Sequence, residues 1–182
     1  MFLGEKDLSR PVVIVVYNPE WAFLFEEEKK RVLEVVGHKV MAIEHIGSTA
    51  VPGLGAKPIV DMMGGVNSSA DADECASLLR VIGYDDVTPQ PDSKDWYYCL
   101  GKRDSGGTTY IHLHLMRFKS YDWERHLLFR DFLRAHPDVA NRYYELKKSL
   151  AAKYGADRVG YTDAKASFIE SVVAKARQRS MF

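Results

Sequence analysis

A strand predicted over Lys39 to Ile46 runs into Gly47-Ser48-Thr49, and a second apolar run then delivers Asp61 between Ile59-Val60 and Met62-Met63. Glycine lets a backbone approach a phosphate closely, and a loop of N–H groups cradles the phosphate charge. Ser48 and Thr49 would add hydroxyls, and Lys57 a mobile positive charge. A carboxylate at Asp61, on the neighbouring strand, can hold the divalent cation that accompanies phosphates. Two plainer readings stay open. Gly47 can simply relieve a tight strand-to-helix turn, with Lys57 in solvent. Asp61 can be a structural ion, since a carboxylate among apolar neighbours is costly without a cation, arginine or histidine beside it.

The run Tyr110-Ile111-His112-Leu113-His114-Leu115 reads as a strand. Alternation places His112 and His114 on one face with Tyr110, and Leu113 and Leu115 on the other. Two imidazoles and one carboxylate suit a metal ion with open positions. Asp61, His112 and His114 are therefore the predicted metal set, for a divalent ion such as magnesium, manganese or zinc. The alternative for the histidines is a hydrogen-bonded pair. Glu44 and His45 fall on opposite faces of their strand. The C-terminal part offers Arg130-Asp131, Lys147 and Lys165. A lysine in the first turn of the last helix opposes the helix dipole, so Lys165 points to a ligand or a carboxylate. Gly47, Ser48, Thr49, Lys57, Arg130 and Lys165 form the predicted ligand set, with Asp61 as the candidate catalytic residue. Trp96, Tyr97, Tyr98 and Trp123 could stack a base, although aromatics at strand spacing more often fill a core.

The string HIGSTAVPGLGAKPIVD, His45 to Asp61, resembles the GrpB family. Its Gly-Ser turn followed by an aspartate on the next strand is similar to the opening motif of the nucleotidyltransferase-like superfamily, to which that family is assigned. Tyr17 to Trp21, LLFRDFLRAHP around Arg130, and Tyr161-Thr162-Asp163-Ala164-Lys165 resemble further segments of the family, so the likeness runs from about Val12 to about Ala174. It implies the small mixed sheet of the nucleotidyltransferase fold and a nucleotide or other phosphorylated small molecule as ligand. Active members of the superfamily place a second acid two residues after the first; this chain has Met63 there, which removes one carboxylate from a two-metal site. The resulting reading is a nucleotide- or phosphate-binding protein of nucleotidyltransferase type, with metal-dependent transfer to an unspecified acceptor. The alternative is a non-catalytic binding or regulatory module that kept the fold.

The elements that must position these residues form an α+β layout, expected as one domain over 1–182, with a mixed sheet and helices to about 119 and a helical part from about 120. Pro11 to Tyr17 reads as a first strand or an extended edge segment, and Asn18-Pro19 as a helix start. Trp21, Leu24, Phe25, Glu28, Val32 and Val35 mark a buried stripe ending near Gly37, while Glu26 to Arg31 reads as a solvated charge run. Further strands are expected over Pro58 to Val66, Trp96 to Lys102 and Thr109 to Phe118, a helix capped by Asn67 to Ala70 and closed by Gly83, and a loop over Pro89 to Ser93. Helices are expected over Tyr121 to Ala135, Pro137 to Tyr154 and Asp163 to Gln178. With 25 basic and 25 acidic residues, no net field draws the chain to nucleic acid or a membrane, although Arg142 to Phe182 carries nine Lys/Arg against four Asp/Glu. Cys75 and Cys99, far apart and without a CxxC, argue against a disulfide framework or zinc finger. With no signal peptide or membrane-length run recognised, a cytoplasmic protein is expected.

Overall fold

Alternating apolar residues on adjacent strands build one buried face of a five-stranded sheet, and the opposite face carries the polar residues singled out above. The structure, a computed structural model, describes residues 11–86 and 97–180. The strands are β1 (Ala42–Ile46), β2 (Val60–Val66), β3 (Tyr84–Asp86), β4 (Tyr97–Arg103) and β5 (Thr109–Arg117), in the order β1-β2-β5-β4-β3. β2 and β5 run parallel, and the other neighbours are antiparallel. Trp96 and the loop expected over Pro89 to Ser93 lie outside the described residues.

The first face packs on α1 (Glu20–Val36) and α2 (Ser69–Leu79) through Ile43, Val60, Met62, Leu113 and Leu115, which meet Phe25, Val32, Ala72 and Leu79. Asn18 starts α1, its Oδ1 accepting the Glu20 N–H at 3.0 Å. The buried stripe is Trp21, Phe25, Glu28, Val32 and Val36, one helix face. Leu24 is exposed, and Val36 rather than Val35 closes the stripe.

Glu28 corrects the reading of its charge run as solvated. It is only 2% exposed and accepts hydrogen bonds from Tyr84 Oη at 3.0 Å and Lys102 Nζ at 2.7 Å. A buried carboxylate is tolerable only when so partnered, and here the partners tie β3 and β4 to α1. Tyr84 loses the ability to ionise, its hydroxyl pKa pushed far upward by burial and then by the Glu28 charge.

Val12 to Tyr17 is extended but joins the fold through a bridge, Val15 and Ala56 exchanging N–H···O=C bonds of 2.8 and 2.9 Å. The C-terminal part comprises α3 (Tyr121–Ala135), α4 (Pro137–Tyr154), α5 (Arg158–Asp163) and α6 (Ala166–Ser180). The short α5 was not anticipated; Asp157 Oδ1 caps it through the Gly160 N–H at 2.9 Å. Phe129, Leu133, Tyr143, Val172 and Val173 form a second core, which also takes in Val51 and Leu54 from the β1–β2 connection. That contact seats the helical part against the loop that begins at Gly47.

Candidate functional site

Strand register gathers the site. Asp61 of β2 lies opposite Ile46 of β1 and His112 of β5; Met63 lies opposite His114, and His114 opposite Cys99 of β4. Asp61, His112, His114 and Cys99 therefore project from the face turned away from α1. Asp61 Oδ1 is 3.3 Å from His112 Nδ1 and 3.5 Å from His114 Nε2. The Tyr97 hydroxyl bonds to His114 Nδ1, leaving Nε2 as the nitrogen towards Asp61. Tyr110 does not join its expected partners. A register shift between Lys102 and Arg103 precedes it, and it packs against the α1-side core.

Gly47 is needed at its position for two reasons. Its φ of +69° favours glycine, and a Cβ there would lie 2.6 Å from Asp61 Oδ2. The turn thus leaves no room for a side chain between Gly47 and the Asp61 carboxylate. Ser48 follows in a single 3-10 turn, and its Oγ accepts a hydrogen bond of 2.8 Å from Lys147 Nζ of α4. The same ammonium donates to the Gly55 carbonyl at 2.5 Å. Lys147 is 3% exposed, and burial, followed by the charge of Lys165, lowers its pKa to about 7, against a small upward pull from Asp61. Burial and then Lys57 lower Lys165 to about 8. The ammonium groups of Lys165 and Lys57 stand 4.4 and 5.5 Å from the centre of the Tyr161 ring. Three lysines thus converge beside Asp61 and Ser48. Holding such charges together out of water is unfavourable, and an anion among them would relieve the cost.

Two members of the predicted ligand set are engaged elsewhere. Thr49 is buried, with its hydroxyl 3.0 Å from His45 Nε2. Arg130 donates to Glu44 Oε2 at 2.7 Å, the His45 carbonyl at 3.0 Å and Asp131 Oδ1 at 2.7 Å, so it fastens α3 to β1. Glu44 is its partner, whereas His45 stacks on Phe25 and is held neutral, burial lowering its pKa to about 4. Gly47, Ser48, Lys57, Asp61, His112, His114 and Lys165 are brought together. Lys147 and Cys99 join them from outside the predicted set. Lys147 had a signal: it follows Val139, Ala140 and Tyr143 on the buried stripe of α4.

Burial opposes a charge on Asp61, yet hydrogen bonds from His112 and then His114 outweigh it and hold the carboxyl well below its usual range. His114 is raised well above the ordinary imidazole value; burial works against it, and Tyr97, Cys99 and Asp61 beside it prevail. Met63 is fully buried with Ile46, Met116 and Trp123, so the place of a second acid is part of the packing. Among the described residues the donors gathered within one ion's span are Cys99, His112 and His114, with Asp61 Oδ1 against one nitrogen of each imidazole, and they do not fit a pair of ions bridged by two carboxylates.

The model of the GrpB protein family matches residues 11–175 of this sequence. The chain belongs to the GrpB family. It is 37% identical to YqkA of Bacillus subtilis over 173 residues, a match covering 93% of this chain and 48% of YqkA, so the chain spans about half the length of that relative. The crystal structure of GrpB from Enterococcus faecalis is similar to it at 30% identity with a TM-score of 0.80, covering 93% of this chain and 100% of that one. The Cid1 poly(U) polymerase in its MgGTP-bound crystal structure is similar at a TM-score of 0.51 and 12% identity, over 74% of this chain and 42% of Cid1, a likeness of fold. The GrpB chain thus has an α+β, nucleotidyltransferase-like fold. Among its described residues no helix is long and apolar enough to cross a membrane.

Proposed function

We propose that this chain binds a nucleotide or another phosphorylated small molecule, together with one divalent metal ion, between the Asp61 end of the sheet and the lysines of the helical part. One observation carries the reading: buried Lys147 donates to Ser48 at 2.8 Å in the turn whose Gly47 lies against Asp61. Phosphates would lie along the Gly47-Ser48 backbone and meet Lys57, Lys147 and Lys165. Asp61, His112 and His114 would hold the ion, which when bound would neutralise phosphate charge and orient the group. Lys147 would shift from the Ser48 hydroxyl towards the ligand, an ion pair with phosphate replacing an ammonium–hydroxyl bond.

Buried Met63 favours a second reading, in which the chain binds without catalysing transfer. Titration calorimetry with nucleoside triphosphates, with and without manganese, tests binding, and pyrophosphate release tests turnover. Asp61→Ala is expected to abolish metal-dependent binding, while Ser48→Ala costs about 1 kcal/mol, a typical net hydrogen bond. If Asp61→Ala lowered thermal stability and left affinity unchanged, Asp61 would be a structural ion and the proposal would fail.

A further inference from the structure

Cys99 has no place in a phosphate cradle, yet it sits on the same sheet face as the two histidines. It lies directly opposite His114 across the β4–β5 pair, and His112 is two residues along β5. Side chains so related are neighbours on one surface. One donor atom from each of Cys99, His112 and His114 falls within a common span of 4.8 Å. Zinc bonds to sulfur and nitrogen are about 2.0–2.3 Å long, so a small adjustment of side chains sets all three on one ion. The Tyr97 hydroxyl bonds to His114 Nδ1, so with Nε2 as the ligating nitrogen it would be the outer contact that orients a metal-bound imidazole. Asp61, within 3.5 Å of both imidazoles, borders the set.

We propose that Cys99, His112 and His114 together bind one thiophilic divalent ion of the zinc class. The inference rests on the metal reading given above and narrows it. Magnesium takes oxygen ligands and keeps its waters, whereas a thiolate with two imidazoles selects zinc or cobalt. The sheet face would then combine a soft-metal centre with the lysine cleft, joined by Asp61.

The test is a cobalt(II) titration of protein stripped with chelator and dialysed. Wild type is expected to develop a thiolate-to-cobalt charge-transfer band in the near ultraviolet at one equivalent, unaffected by excess magnesium. Cys99→Ser is expected to lose that band and to weaken zinc binding at least about 100-fold, with an unchanged circular dichroism spectrum. Visible cobalt bands without charge transfer in wild type would show that Cys99 is not a ligand. That result would overturn this inference and leave the Asp61 and histidine reading standing. Displacement of cobalt by magnesium would overturn the selectivity. Failure of wild type to bind cobalt or zinc at all would overturn this inference, while manganese-dependent nucleotide binding would test the Asp61 reading separately.

Discussion

Placing a phosphate beside Lys147 and Lys165 should draw protons onto the protein, by an amount that follows from their burial. Their pKa values, lowered to about 7 and about 8, leave both partly neutral in mildly alkaline solution. An anion in contact favours the charged form, so binding raises both values and the sign is proton uptake. At pH 8 a lysine of pKa about 7 is roughly 10% charged and one of about 8 roughly half, so full protonation takes up about 1.4 protons. The terminal phosphate of the ligand, with a second pKa of about 6, is already ionised there and contributes little. At pH 6 the lysines are already charged, and their uptake falls to about 0.1. Calorimetry at pH 8 with metal-free protein and ligand, in buffers of different ionisation enthalpy, reads the number as the slope of observed enthalpy against buffer enthalpy, free of the protons that a metal would displace from His114. By linkage, affinity should also fall by about 25-fold per pH unit near pH 8. An enthalpy independent of buffer, or proton release, would refute the placement of phosphate among these lysines.

Three further outcomes follow from the packing. Gly47→Ala meets both a positive φ and Asp61 Oδ2 at 2.6 Å, so thermal melting should report a loss of about 1–3 kcal/mol and metal titration a weaker site; wild-type behaviour in both would contradict the close approach. Met63→Asp buries a carboxylate in an apolar cluster, and denaturant unfolding should show destabilisation of about 3 kcal/mol or more; gained metal affinity at unchanged stability would instead mark a site one acid short of the superfamily pattern. Glu28→Ala strands Lys102 and Tyr84, at a cost of about 3–5 kcal/mol by chemical denaturation. Its affinity for a manganese-nucleotide complex should stay at the wild-type level, because Glu28 lies on the opposite side of the sheet.

Residues whose role is set by local chain direction were legible in the sequence. Gly47 marks a turn, the apolar run Val60 to Val66 carries Asp61, and the apolar periodicity and His136-Pro137 break place α3 and α4 at their observed bounds. His112 and His114 could be put on one face because a strand has a period of two. Long-range pairing was less accessible. Nothing local distinguishes Lys147, buried under the Gly47 turn, from its neighbour Lys148, 45% exposed, except the stripe begun by Val139 and Tyr143. Cys99 meets the histidines only through the β4–β5 register, which its own segment does not encode. Arg130 and Thr49 suited a phosphate by type, but each is satisfied by partners on β1. Glu28 was read by composition as solvated, although its spacing from Phe25 and Val32 assigns it to the buried face.

The most direct test of the central claim is a crystal structure of this chain grown with manganese and a non-hydrolysable nucleoside triphosphate, read by the anomalous signal of the metal. The account predicts an anomalous peak bonded to Asp61 and a histidine of β5, with phosphate oxygens in contact with the Gly47-Ser48 backbone, Lys147 and Lys165. Nucleotide found instead in the groove lined by Phe25, Glu44, Arg130 and Arg134, with no metal at Asp61, would contradict it.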